Sequence, residues 1–534
     1  MKLFLISTFD ILEDGTQPVF IACDEESQPR IISFNEIDLK TQDIVVFNAP
    51  LIIDYLRKAQ IEMPRGIDDI FQMFKLARGT SKKYHKLSES YALFIVLSEL
   101  LGKTEGLKGL VDLLNSSKKI IEAKSESSLF PVLESLRIAY FMLTEEFRGK
   151  GESQRYETVE RPFNYILAKR QYSGIFVDKK ILNERINLVS REVDILNKRI
   201  RYEYNIFSPQ NINEIRDALK KNNFGYLSKM VKSVSNKAFW SFVKTGSEQN
   251  EFLKTIYDAY RLSFDKRNLM RIIVNDDGVI YPVFDCCGTI TSRTQVRMPH
   301  IQHMKKTSRD IIQAKKGFSL LYSDYSQFEP GILASLADDK KLIECYNQGD
   351  LYASLSLELF GDPNSRSLCK IIFLCFMYGM SNVGLESLME DFFRNSNAAR
   401  MENVQLFFEK FTSLVPYKEQ LQAMAFKEGK IGTVMGNHRY FRNKSERLPN
   451  RVKRWVLSQK IQGTASLILK TAIMNCCKDE NIQFLIPMHD AALFQVPAEL
   501  AQEKKDVIRV EFENAMLKYC PNLKPKVLFK MFTE

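Results

Sequence analysis

The segment at residues 320–338, LLYSDYSQFEPGILASLAD, limits what this chain can become more than any other. An apolar run ends on Asp324, Tyr325-Ser326-Gln327 turns the chain, and Glu329 opens a helical pattern. A strand that ends in a carboxylate delivers an acid to the floor of a cleft, where it can ligate a metal. Read alone, the same Asp-Tyr-Ser is more often a helix N-cap, because a short acid there satisfies free amide groups. Residues 484–496, FLIPMHDAALFQV, place two apolar stretches around His489-Asp490, the pattern of a hairpin with an acid at its tip. By itself that pattern also suits a surface turn.

Two aspartates on neighbouring strands can bridge two divalent cations about 3.5–4 Å apart and stabilise both oxygens of an in-line phosphoryl displacement. Magnesium suits such a site, since it takes few carboxylates and completes its shell with phosphate oxygens and water. Between the two acids, Arg366, Lys370, Leu374 and Tyr378 recur every four residues. That spacing draws one stripe along a helix. Cations followed by an apolar and an aromatic side chain match a nucleoside triphosphate, and equally a core helix with two exposed cations. Gly379 then permits the helix to break.

Together these segments resemble the DNA polymerase I family, family A. Asp324-Tyr325-Ser326-Gln327 with Glu329 matches its first palm motif. Arg366, Lys370, Tyr378 and Gly379 match its finger-helix motif, and His489-Asp490 matches its last palm motif. Thr291-Ser292-Arg293 and Pro299-His300-Ile301-Gln302 are similar to the family's Thr-Gly-Arg and Pro-Asn-Leu-Gln segments. Gln462-Gly463-Thr464-Ala465 matches a later helix, with Arg454 eight residues upstream of Gln462, and Gly174-Ile175-Phe176-Val177-Asp178 resembles the start of the thumb. The motifs follow one another in the family's order, over about residues 160–534.

The resemblance implies an α+β multidomain chain. An exonuclease-like α/β unit (residues 1–150) would precede a right-hand polymerase with thumb (155–274), palm (275–337 and 455–534) and fingers (338–454). Asp324 and Asp490 would be the catalytic acids holding two Mg2+ ions. Arg366, Lys370, Leu374, Tyr378, Glu329 and Gln327 would bind the nucleotide. Arg293, Gln302, Arg454, Gln462 and His489 would hold primer–template DNA. Glu329 with Tyr378 would exclude a ribose 2′-hydroxyl and so favour dNTPs; a polar block of this kind discriminates more strongly than a small difference in apolar fit.

Several positions depart from the family. Ala491 stands where it carries a third carboxylate, Leu374 where it usually has Phe or Tyr, and Cys375 where it has Gly. Ser292 replaces a Gly, Tyr352 a common His and Gly331 a common Arg. Ala491 is also what the related single-subunit RNA polymerases resemble, so an RNA polymerase of the same fold is one alternative. A non-catalytic DNA-binding relative is another.

The 534 residues allow three to four domain-sized units. A net charge of +11 suits a polyanionic partner, because each neutralised phosphate releases counterions. The charge concentrates at Lys427, Lys430, Arg439, Arg442, Lys444, Arg447, Arg451, Lys453 and Arg454, interleaved with Tyr440, Phe441 and Trp455 and opposed only by Glu428 and Glu446. This stretch is expected to face DNA. Nine cysteines without metal-like spacing imply a reducing interior and hence a cytoplasmic location, and no stretch suggests a membrane span.

Residues 149–154 read as a linker after the first unit. In that unit Asp10 and Glu13 have the wrong spacing for an Asp-x-Glu pair, Asp54 is displaced from the second exonuclease motif, and residues 87–100 contain no Asp. A nuclease-like fold without proofreading activity is therefore expected. The length, with nothing resembling the family's 5′-nuclease, hints at a phage or mobile element.

Overall fold

The computed structural model describes the chain apart from Met1, Tyr378, Glu534 and residues 9–17, 34–37, 80–88, 103–105, 116–125, 234–236, 248–249, 362–365, 381–386, 388–408 and 442–446. Tyr378, Asp10, Glu13, Arg442, Lys444 and Glu446 thus lie outside the described residues.

The first unit is built on a sheet of β1 (Lys2–Ser7), β2 (Phe20–Cys23), β3 (Arg30–Ile31), β4 (Asp43–Val46) and β5 (Gly66–Asp69), in the order β3-β2-β1-β4-β5. β1 runs antiparallel to β2 and parallel to β4. Alternation along β1 feeds two cores: Phe4 and Ile6 pack on one face, Leu5 on the other. α1 (Ala49–Lys58) and α2 (Ile70–Ala77) follow the parallel strands, and α3 (Phe130–Lys150) contributes Leu133, Leu136 and Leu143 to the Phe4 face.

The linker expected at residues 149–154 is instead a packed junction. α3 stops at Gly151, whose φ of 71° closes the helix. The next residue, Glu152, is fully buried and accepts from Asn437 N (2.8 Å), His438 N (2.9 Å) and His438 Nδ1 (2.7 Å). Burying a carboxylate there requires these donors. α4 (Arg161–Ser173) then returns to the first sheet: Ala168 joins its core and Tyr165 Oη donates to Pro64 O at 2.7 Å. On the same helix Phe163 and Leu167 join the larger core, so α4 bridges the two units and no boundary falls at 150.

Buried ion pairs fasten the two halves. Lys75 Nζ lies 2.8 Å from both carboxylate oxygens of Asp285, and neither side chain is exposed. Lys470 Nζ lies 2.5 Å from Glu160 Oε2, with Arg155 2.7 Å from Oε1. Glu160, Cys286 and Cys287 are close enough to chelate a metal, but the Lys470 ammonium already sits among them, 3.0 Å from Cys286 O.

The larger core joins α5 (Lys179–Tyr204), α6 (Lys237–Gly246) and α7 (Glu251–Leu269) to a second sheet. Its strands, β8 (Phe318–Tyr325), β11 (Gln483–Pro487), β12 (Ala491–Pro497) and β13 (Val527–Lys530), follow the order β11-β12-β8-β13; β6 (Val283–Asp285) pairs with β7 (Gln295–Met298), and β9 (Lys430–Thr433) with β10 (Gly436–Tyr440). β8 is antiparallel to both neighbours. Ser323 and Tyr325 face inward, Tyr325 Oη donating at 2.6 Å to Phe512 O on α12 (Ala501–Leu517). Period-two alternation puts Tyr322 and Asp324 on the open face. α8 (Phe328–Leu336), α9 (Leu351–Phe360) and α10 (Arg366–Met377) follow β8. α11 (Asn450–Cys476) runs unbroken across the boundary expected at 454/455. Among the described residues no helix is long and apolar enough to cross a membrane.

Candidate active site

β8 brings Asp324 to the sheet's open face, directly opposite Ala491 at the start of β12. The turn before β12 carries Asp490 and is docked by main-chain bonds: Tyr325 N–H donates to Asp490 O (3.0 Å) and Met488 N–H to Ala491 O (2.8 Å). Both aspartates are thus placed by strand register. Asp490 Oδ1 is buried without a hydrogen-bond partner. Burial, followed by the neighbouring Glu329 and Asp324 carboxylates and opposed by Arg293, pushes the Asp490 carboxyl up to about 7. Lys530 Nζ, from β13, sits 2.6 Å from Asp324 Oδ2.

An orphaned buried oxygen beside a second carboxylate, with only hard oxygen donors, fits a divalent cation of the magnesium type. Glu329, in the first turn of α8, is held by the guanidinium of Arg293. Arg293 is aimed by the residue before it. Ser292 has φ 56°, donates through Oγ to Asn437 Oδ1 (2.9 Å) and accepts from Ser466 Oγ (2.7 Å). That left-handed conformation explains why a glycine suits the position and shows what holds a serine in it. Gly331 likewise has a physical reason here: a Cβ would lie 2.6 Å from the Tyr346 ring, which fills the space.

On α10, Arg366 pairs with Asp350 at 2.9 Å and lies 5.6 Å from the centroid of the Tyr352 ring. Lys370 is half-buried on the same helix. Cys375 is fully buried, whereas Leu374 borders a cavity of about 740 Å³ together with Tyr226, Phe242, Met380, Lys453 and Arg454. Gly379 has φ +70°, and a Cβ there would lie 2.3 Å from Arg454 O, so the helix end can lie against α11 only with glycine. Arg439 stacks on Trp455 (3.9 Å), and burial, then the nearby Arg451, push its guanidinium down to about 10.

Two of the expected ligand-binding residues have internal partners. Gln302 is 4% exposed and its amide is consumed internally, donating to Pro487 O (2.9 Å) and Thr294 O (3.1 Å) and accepting from Val296 N. It braces the Asp490 hairpin from inside. Gln327 has φ 51° and its Oε1 accepts from Leu351 N at 2.8 Å, tying α8 to α9. His489 is exposed, 5.6 Å from the His303 ring; Gln462 is half-buried on α11; and Arg454 Nε donates weakly to Asn450 O. Lys530 was invisible to motif reading: it lies 206 residues from Asp324, and only the pairing of β13 with β8 joins them.

Residues 179–529 match the family model for DNA polymerase family A, so the chain belongs to that family. DNA polymerase I of Bacillus caldotenax is 24% identical over 389 residues, covering 66% of this chain and 43% of the relative. DNA polymerase I of Helicobacter pylori is 24% identical over 447 residues, covering 78% of this chain and 49% of the relative. The chain therefore spans less than half the length of these relatives. A solved structure described as the POL domain of Pol1 from M. smegmatis in complex with DNA primer-template and dNTP shares the fold. Its TM-score is 0.76 at 18% identity, over 100% of this chain and 95% of that one.

Proposed function

We propose that this chain is a template-directed DNA polymerase that extends a primer 3′ end with dNTPs, holding two Mg2+ ions between Asp324 and Asp490. The observation that carries the reading is the docking of the Asp490 turn against the end of β8, with Asp490 Oδ1 left buried and unpartnered beside Asp324. Metal bound there would supply Lewis-acid stabilisation to the attacking and leaving oxygens. The second sheet is the palm, α5–α7 belong to the thumb, and α10 is the finger helix. Arg366 and Lys370 clamp the triphosphate, Leu374 borders the space for sugar and base, and Glu329, fixed by Arg293, blocks a 2′-hydroxyl. Primer–template DNA lies along Arg439, Arg451, Arg454, Gln462 and His489, where affinity comes from phosphate contacts and falls with salt.

The first unit is read as exonuclease-like and without proofreading. Three of its described acids are spent on structure. Asp68 takes Lys2, Arg161 at 2.9 Å and the Tyr156 hydroxyl at 2.6 Å. Asp69 caps α2 and accepts from Ala49 N at 2.8 Å. Asp54 pairs with Arg57 at 2.6 Å.

Primer extension on a recessed template with Mg2+ tests the reading, run in parallel with dNTPs and with rNTPs. Template-encoded elongation with dNTPs and little with rNTPs is expected. Preferential rNTP use would mark an RNA polymerase, and DNA binding without elongation a non-catalytic relative.

A further inference from the structure

Lys530 is the one basic side chain in contact with Asp324 among the described residues, and its position is fixed by the sheet. It lies opposite Tyr322 in the β8–β13 pair, and Tyr322 shares the open face with Asp324, so the lysine crosses diagonally to reach Asp324 Oδ2 at 2.6 Å. On the other side of Asp324 the opposing residue is Ala491, which brings no carboxylate. One neighbouring strand thus supplies a positive charge and the other no negative one. Both features weaken the attraction of this end of the site for a divalent cation.

We propose that Lys530 is a positioning residue, a resident ammonium that a divalent metal must displace from Asp324. This rests on the two-aspartate reading above. The displaced side chain has somewhere to go: a cavity of about 440 Å³ beside it is bordered by Arg309, Tyr322, Lys505, Phe529 and Phe532. While Lys530 holds Asp324, the two aspartates would bind a divalent metal weakly, and nucleotide phosphates would add negative charge that favours it. Metal loading is thereby coupled to substrate arrival.

The test is Mn2+ titration of the full chain without DNA or nucleotide, with free Mn2+ followed by electron paramagnetic resonance. Lys530→Met keeps the alkyl stem and removes the charge; it is expected to tighten Mn2+ binding by about three- to fivefold, the upper part of the range for a partly exposed contact pair. Lys530→Arg restores the charge and is expected to match wild type. Lys505→Met removes a charge bordering the same cavity, where Lys505 Nζ lies 5.4 Å from the Phe529 ring centroid, and is expected to stay within about twofold of wild type. Unchanged or weaker binding in Lys530→Met, or equal tightening in Lys505→Met, overturns the proposal. Asp490→Asn separates the two levels of the argument. Loss of Mn2+ sites in Asp490→Asn with no response to Lys530→Met refutes Lys530 alone. Mn2+ binding unaffected by Asp490→Asn refutes the metal reading and this inference with it.

Discussion

At the scale of single residues, the acids were legible and their surroundings were not. Asp324 and Asp490 each follow an apolar run, and only the two runs read together set them apart from an N-cap and a surface turn. Sequence could not mark Gln302 as a brace of the Asp490 hairpin, because the partner there, Pro487 O, lies 185 residues away. The substitution at Leu374 has the clearest consequence. Leucine borders the cavity where a family member would offer an aromatic face, and stacking of a base on such a ring contributes on the order of 1–3 kcal/mol, here an upper bound. Leu374→Phe is expected to lower the apparent KM for a matched dNTP and to reduce misinsertion, as read by steady-state insertion kinetics. If both quantities stay the same or worsen, α10 has been repacked around leucine.

At the scale of elements, periodicity located α10 and the Asp490 hairpin, because helix and strand each impose a repeat that a sequence displays. Boundaries were less legible. Residues 149–154 carry the composition of a linker, yet Glu152 is buried by donors from Asn437 and His438, almost three hundred residues away. Just past the end of α10, Gly379 lies directly against the backbone of α11. Gly379→Ala would place a methyl group against Arg454 O in a left-handed backbone conformation. That conformation alone costs about 1–2 kcal/mol, and the clash raises the expected destabilisation to roughly 2–4 kcal/mol. Urea unfolding measures it, and nucleotide KM should rise in the same variant as the helix end shifts. A stability loss under about 0.5 kcal/mol would show that the seam yields easily.

At the scale of the whole molecule, buried charges join the first unit to the rest, and no motif announces them. Burial alone would raise the Glu160 carboxyl, but Lys470 and Arg155 outweigh it and hold it at about 2, below its ordinary 4.5. An acid depressed on folding contributes stability above its unfolded value and loses it as pH falls toward the folded one. The contribution is at most about 3 kcal/mol at neutral pH. Glu160→Gln is expected to be less stable than wild type at pH 7, with the gap narrowing between pH 4.5 and about 2 in pH-resolved unfolding. A gap independent of pH would deny the ion pair its role. In the first unit, a mismatched primer terminus should remain intact in Mg2+ when nucleotides are withheld. Metal-dependent shortening that disappears on substitution of Asp10 and Glu13 would place a nuclease there.

The central claim is that Asp324 and Asp490 perform metal-dependent chemistry while separate basic surfaces hold DNA. Single-turnover primer extension and DNA anisotropy, measured on the same samples of wild type, Asp324→Ala and Asp490→Ala, test both parts together. Extension is expected to be abolished in either variant while DNA affinity stays within about threefold of wild type, because the phosphate contacts are untouched. Extension within about tenfold of wild type in either variant, only some 1.4 kcal/mol of barrier, would contradict the assignment.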